Sequence, residues 1–211
     1  MAGGGSVYED DSLISRLDRK LLRIETVLAL ISGLAVFGIM IFAVVSVSGR
    51  NLINMPVPGY VDWIEQLMPL IAFMGVSYTM RDGTHIRMDI LIGRFSGRWL
   101  WAAELITAFA ALVLIVLLIW GSWAHVDRSF DLNAPWFSRD SSIDIRIPLW
   151  PAKLLVPVAF SVLALRLILQ IWGFGRAIVY NLARPPAVPM IKSAAQQAAD
   201  EAAALQDVSP T

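Results

Sequence analysis

Four long runs of apolar residues, almost free of charge, organise the chain. They lie near residues 26–49, 62–80, 103–126 and 152–174. Because a transmembrane helix needs about 20 predominantly apolar residues, the pattern predicts four membrane-spanning helices. The second run is the weakest, because it is short and contains both Glu65 and Pro69. The alternative interpretation is a soluble bundle of buried helices, which four such runs in one chain disfavour.

The composition agrees with a membrane protein. Of the 211 residues, 57% are hydrophobic and 16% are charged, and the mean hydropathy is +0.64. Soluble domains carry about 25% charged residues, and a globule of this size could not bury so much apolar surface. The formal net charge is zero, which argues against nucleic acid as a partner. The absence of cysteine excludes disulfides, thiolate metal ligands and cysteine nucleophiles.

The distribution of Lys and Arg predicts the orientation in the membrane. Eleven of these residues lie in the two tails and the second loop, whereas four lie in the first and third loops. The positive-inside rule therefore places both termini in the cytoplasm. The chain divides into a cytoplasmic N-terminal tail (1–25), a four-helix membrane domain (26–180) and a flexible cytoplasmic C-terminal tail (181–211). The acidic start of the chain favours an uncleaved first span over a secretory signal.

Two charged residues lie inside the apolar runs and are candidates for function. Glu65 lies near the outer start of the second span. A hydrogen bond between helices or subunits and a simple interfacial position explain it equally well, and a transported proton is a weaker third explanation. Arg166 lies well inside the fourth span among Leu, Ile and Val residues. It should face protein or extend toward the cytoplasmic interface, and a structural anchor is favoured over a ligand site.

The densest polar cluster lies between the second and third spans, over residues 81–89. If residues 87–99 are helical, their apolar side chains form one stripe with three arginines beside it. This pattern predicts an amphipathic helix on the inner leaflet, with its arginines at the level of the lipid phosphates. The membrane-interface candidates are Met88, Leu91, Ile92, Phe95 and Trp99 on the stripe, with Arg87, Arg94 and Arg98 beside it.

The third loop, from Asp127 to Trp150, is the longest external segment and is rich in aromatic residues. Exposed aromatic side chains on a loop serve either as a surface for a protein partner or as anchors at the membrane interface. The sequence favours neither. No nucleophile–base pair, phosphate loop or carboxylate dyad is present, so catalysis has no support.

Several motifs in chain order resemble the small membrane subunit of the tripartite ATP-independent periplasmic (TRAP) transporters, the DctQ-like family. They are Gly49-Arg50-Asn51, Trp63-Ile64-Glu65-Gln66, Arg81 to Leu91, and Ile147 to Trp150 followed by Pro157 and Arg166. The stretch from Arg81 is similar to the family's Arg-x-Gly-x-His-Ile-x-x-Asp pattern. The resemblance covers about residues 20–180. The candidates for subunit contacts or structural roles are Arg50, Trp63, Glu65, Arg81, Gly83, His85, Arg87, Asp89 and Arg166.

The resemblance implies an all-α, non-enzymatic subunit of the bacterial inner membrane. Its implied partners are a large multi-span subunit, which carries the transport path and sodium sites, and a periplasmic binding protein that delivers organic anions such as carboxylates. No cofactor or metal is implied for this chain itself. Two other functions stay open at this point. One is a small proton-coupled transporter that uses Glu65, and the other is a membrane anchor of an electron-transfer complex, which the lack of paired histidines disfavours.

Overall fold

The computed structural model describes residues 13–55, 57–82 and 98–180, and most of them are helical. The α-helices are α1 (Leu13–Ile53), α2 (Tyr60–Met74), α3 (Val76–Asp82), α4 (Arg98–Ser129) and α5 (Trp150–Tyr180). A short 3₁₀ helix, Pro135–Phe137, lies in the loop between α4 and α5. The expectation of an all-α architecture agrees with this part of the chain.

Three of these helices, α1, α4 and α5, are long and apolar enough to cross a membrane. They contain the first, third and fourth apolar runs. Helix α1 has 41 residues, and at a rise of 1.5 Å per residue it is about 60 Å long, roughly twice the thickness of a bilayer's hydrocarbon core. The chain is therefore a multi-pass membrane protein whose first helix projects well beyond the apolar layer.

The second predicted span is not one continuous helix. Helix α2 continues through Pro69 and ends at Met74, and α3 begins at Val76. Pro69 lies inside α2, and the interruption falls at Gly75. Neither short helix meets the length needed to cross a bilayer alone. Residues 83–97, which include most of the interfacial helix predicted over 87–99, lie outside the described residues, and Arg98 and Trp99 are the first two residues of α4.

Residues 13–25, which the sequence assigned to a tail, are the first turns of α1. One face of this segment is buried against the rest of the protein, through Ile14, Ser15, Asp18, Leu21 and Glu25. These positions recur at the helical spacing, so they face one side. The helix begins far outside the apolar run because this polar face has partners elsewhere in the fold.

The packed centre of the molecule is α5. In its most apolar window 44% of residues are buried, compared with 6% in α1 and 11% in α4. Helices α4 and α5 pack along each other through Ile115, Leu163 and Leu167, and toward the other end through Ala108 and Phe174. Most apolar side chains of α1 and α4 therefore face outward, where lipid or another subunit would meet them.

Candidate functional site

A buried ion cluster joins three helices at the level where α1 enters the first apolar run, just before residue 26. Its centre is Arg166 of α5, whose side chain is fully buried. The guanidinium Nε donates to Glu25 Oε1 at 2.8 Å, and Nη2 donates to Glu25 Oε2 at 2.5 Å. This two-point arrangement matches the planar fork of arginine to a carboxylate. The third nitrogen, Nη1, donates to Asp18 Oδ1.

Helix α3 completes the cluster from the other side. Arg81 Nη2 donates to Asp18 Oδ2 at 2.9 Å, and Ser77 Oγ donates to Glu25 Oε1 at 2.5 Å. Two arginines therefore face two carboxylates. The cluster has no net charge, and every carboxylate oxygen in it accepts at least one hydrogen bond.

The cluster is closed and best suited to a structural role. Burying a charge costs several kcal/mol unless it is paired and hydrogen-bonded, and here all four charged groups have such partners. Each carboxylate oxygen accepts a hydrogen bond from a protein donor, so the contacts of the described residues assign these charges to holding the three helices together. Within the described ranges, His, Asp and Glu side chains do not gather into a group of three that could hold a metal ion.

A second polar site lies at the opposite end of the molecule, where α2 begins. Asp62 is buried and its Oδ2 accepts hydrogen bonds from Ser142 Oγ at 2.7 Å and from the backbone N–H groups of Asp144 and Ile145 at 3.0 and 2.8 Å. Gln66, one turn later, donates to the carbonyl of Pro148 at 2.9 Å. We call this set of contacts the outer clasp. It fixes the long loop onto the start of α2.

Gly59 makes the close approach at the outer clasp possible. Its φ of 68° lies in the left-handed region, which disfavours other residues. A Cβ atom placed there would lie 2.4 Å from Cδ1 of Ile145. Both the conformation and the space therefore require glycine at this position.

The ends of α4 and α5 are joined by Asp140. Lys153 Nζ donates to Asp140 Oδ2 at 2.7 Å, and Ser129 Oγ donates to the same oxygen at 2.6 Å. The ammonium of Lys153, followed by the hydroxyl of Ser129, holds the pKa of the Asp140 carboxyl below its usual value. This contact closes the loop across its base.

The tip of the loop presents apolar side chains to the exterior. Trp136 is 80% exposed and Ile143 is 94% exposed. Trp136 and Phe137 have positive φ values of 59° and 56°, a conformation that is costly for bulky residues. The indole Nε1 of Trp150 donates to the carbonyl of Trp136 at 3.1 Å, which helps to hold this turn. Exposed apolar patches often mark contact surfaces, and backbone strain is often found at functional sites. The tip of the loop has both features.

The structure separates the candidate residues predicted from the sequence. Arg166 and Arg81 meet in the ion cluster. Arg50 is exposed near the C-terminal end of α1, and Trp63 and Glu65 are exposed in the first turns of α2. Eleven candidates named for subunit contacts or for the membrane interface cannot be assigned to either site, because nine of them lie outside the described residues and the side chains of the other two, Arg98 and Trp99, are not described. The candidates without a described side chain are Gly83, His85, Arg87, Met88, Asp89, Leu91, Ile92, Arg94, Phe95, Arg98 and Trp99.

Sequence reasoning missed the partners of both arginines. Asp18 and Glu25 lie seven residues apart, which places them on one helical face. A buried arginine in the fourth span also requires an acidic partner. The interpretation of residues 1–25 as a tail placed both carboxylates outside the membrane domain, where they could not pair with an arginine of the fourth span. Asp62 and Ser142 carried no comparable signal, since their contact depends on the path of the loop.

Comparison with known families decides the identity. The family model described as "Tripartite ATP-independent periplasmic transporters, DctQ component" matches residues 39–176, more than half of the chain. The chain belongs to the DctQ family. It is therefore a small, non-catalytic component of a TRAP transporter. A search of curated proteins gives no match to the chain. The match begins within α1, so the ion cluster's residues Asp18 and Glu25 lie outside the matched region, whereas Arg81 and Arg166 lie inside it.

Proposed function

We propose that this DctQ component is the small permease subunit of an inner-membrane importer of organic anions, commonly carboxylates. It would support a large multi-span subunit, with which a periplasmic binding protein cooperates, and transport by the whole complex would be coupled to sodium. The closed ion cluster carries this proposal. The buried charges that join α1, α3 and α5 are used to hold those helices together, so they offer no site to an anion.

The exposed apolar surface supports a role beside another membrane subunit. Helices α1 and α4 leave most of their apolar windows uncovered, and the polar pair Trp63 and Glu65 is exposed on α2. In a bilayer, helix association depends on close packing and on hydrogen bonds between helices. We assign Glu65 to an inter-subunit hydrogen bond, because no donor to its carboxylate is found among the described residues of the chain.

The proposed topology has both termini in the cytoplasm and four crossings. The second crossing would be formed by α2 and α3 together, which extend from residue 60 to residue 82 with an interruption at Gly75. The outer clasp at Asp62 and the ion cluster at Arg81 lie at opposite ends of this pair. The amphipathic helix predicted over residues 87–99 would then rest on the inner leaflet.

The outer loop is proposed as a surface that contacts the binding protein. Its apolar tip is held in a strained conformation, and the outer clasp fixes its base to α2. A surface that is rigid before contact loses less conformational entropy on binding. Anchoring in the outer leaflet is the competing role for the same side chains.

Reconstitution tests the proposal directly. Liposomes that contain the pure chain should show no organic-anion flux with a sodium gradient, a proton gradient or a binding protein. Liposomes that also contain the large subunit should show flux when the binding protein and a sodium gradient are supplied, and deletion of this chain in cells should abolish high-affinity uptake. Saturable uptake by the pure chain above that of empty liposomes would contradict the proposal and favour a small independent transporter.

A further inference from the structure

The part of α1 that extends beyond the apolar run has an unusual charge distribution. Its two carboxylates, Asp18 and Glu25, are buried and neutralised by Arg81 and Arg166. Its four basic residues, Arg16, Arg19, Lys20 and Arg23, are all exposed. Although the sequence of residues 13–25 mixes acids and bases, the folded segment presents only positive charge at its surface.

Three of these bases form one stripe along the helix. Arg16, Lys20 and Arg23 are spaced by four and three residues, which places their side chains one above another on the same face. Among the described residues, none of the three has a carboxylate partner in a salt bridge. The opposite face of the segment is the one that holds the ion cluster. The stripe therefore points away from the protein core.

The stripe lies at the depth of the lipid headgroups. The apolar run begins at Thr26. Measured along the helix axis toward the N-terminus, Arg23 lies about 4.5 Å and Lys20 about 9 Å from that residue. The headgroup layer adds about 5–7 Å to each side of the hydrocarbon core. Arg16 lies deeper, but arginine and lysine side chains are long enough to reach back toward this layer. Exposed Leu17 and Ile24 adjoin Lys20 on its other side, which gives the segment an apolar edge beside the bases.

We propose that this face of α1, formed by Arg16, Lys20 and Arg23, binds the phosphate groups of anionic phospholipids such as phosphatidylglycerol. The ion cluster makes the site possible, because it removes the two carboxylates that would otherwise repel the lipid. Each basic residue near an anionic membrane surface contributes about fivefold in affinity. The site is separate from transport, so it can be measured without the large subunit.

Titration of lipids into the detergent-solubilised full chain, followed by native mass spectrometry, tests the site. Wild type should retain phosphatidylglycerol in preference to phosphatidylcholine, and added salt should weaken the binding. The variant Arg16→Gln/Lys20→Gln/Arg23→Gln should lose on the order of 100-fold in affinity. The matched control Arg50→Gln/Arg128→Gln/Arg146→Gln removes three exposed bases near the other end of the molecule and should bind as wild type does.

A charge-preserving variant, Arg16→Lys/Lys20→Arg/Arg23→Lys, should retain the binding, which separates charge recognition from a change in folding. Equal retention of both lipids by wild type would overturn the proposal. An equal loss of lipid affinity in the Gln variant of the stripe and in its matched Gln control would overturn the proposal. Displacement of the lipid by inorganic phosphate at concentrations similar to that of the lipid would overturn it as well.

Discussion

At the scale of single residues, Arg166 decides how α1 is positioned. Its guanidinium donates to carboxylates that are 141 and 148 positions away in the sequence. A lysine could not replace it, because an ammonium lacks the planar fork that serves both oxygens of Glu25. Removal of either partner leaves an uncompensated charge in a buried site, and that penalty exceeds the value of the pair itself.

We therefore expect Arg166→Gln to destabilise the chain by about 3–5 kcal/mol, because Glu25 stays buried without its cation. Unfolding by increasing mole fraction of SDS, followed by circular dichroism, measures this loss. The control is Glu65→Gln, an exposed carboxylate for which we expect a change within about 0.5 kcal/mol. The double variant Arg166→Met/Glu25→Met should recover part of the loss, since apolar replacement of a buried pair is often tolerated. Wild-type stability of Arg166→Gln would contradict a structural role for the cluster.

Asp62 has a similar role at the other end, where it accepts from two backbone N–H groups. We expect Asp62→Asn to speed hydrogen exchange at the amides of Asp144 and Ile145, because an amide oxygen is a weaker acceptor than a carboxylate. Mass-spectrometric or NMR exchange measurements detect this change. Asp144→Asn is the matched control, because the side chain of Asp144 is exposed and makes no described hydrogen bond. Equal protection in both variants would show that the outer clasp does not hold the loop.

At the scale of the elements, the helices differ in what they contribute. Helix α5 supplies the core, and α1 supplies a long apolar surface and a polar extension. Helices α2 and α3 connect the two polar sites, since the outer clasp is at the start of α2 and Ser77 and Arg81 are on α3. Both short helices contact α1 and α5, on either side of the interruption at Gly75.

The junction of α4 and α5 should depend on pH through Asp140. Because Lys153 and Ser129 lower the pKa of Asp140 in the folded chain, the contact stabilises the fold above the pKa of about 3.9 found in unfolded chains. That stabilisation is lost as the pH falls through the lower folded value. We expect the midpoint temperature of unfolding to decrease as the pH is lowered below about 4. The difference in midpoint temperature between wild type and Asp140→Asn should become smaller over the same pH range. If the difference in midpoint temperature between the two proteins stayed constant down to pH 3, the Asp140 contact would not be the cause of the pH dependence.

At the scale of the whole molecule, the chain is a membrane component with a polar site at each end and an apolar region between them. The ion cluster joins α1, α3 and α5 near one end, and the outer clasp joins α2 to the loop at the other. Between them, most of the apolar surface of α1 and α4 is uncovered. This arrangement fits a subunit that completes its packing against lipid and a larger partner.

The topology can be measured with single cysteines, because the chain contains none. We expect a membrane-impermeant maleimide to label Asn133→Cys in intact spheroplasts. Leu13→Cys and Ser96→Cys should react only after permeabilisation, because the excess of Lys and Arg places them in the cytoplasm. Labelling of Ser96→Cys from outside would mean that α2 and α3 enter and leave the same face of the membrane. Labelling of Leu13→Cys from outside would invert the proposed orientation.

The sequence alone determined the apolar runs, the helical class and the membrane location, because these follow from the length and polarity of local segments. The order of its motifs also identified the family, and the family match agrees. The tertiary structure decided where each charge goes. Local polarity made residues 13–25 resemble a solvated tail, whereas Arg81 and Arg166 bury its carboxylates and make it part of α1. The tertiary structure also decided that the second apolar run is interrupted at Gly75 and that Asp62 holds the loop between α4 and α5. These outcomes depend on pairs of residues far apart in the sequence, for which the periodicity of one segment contains no information.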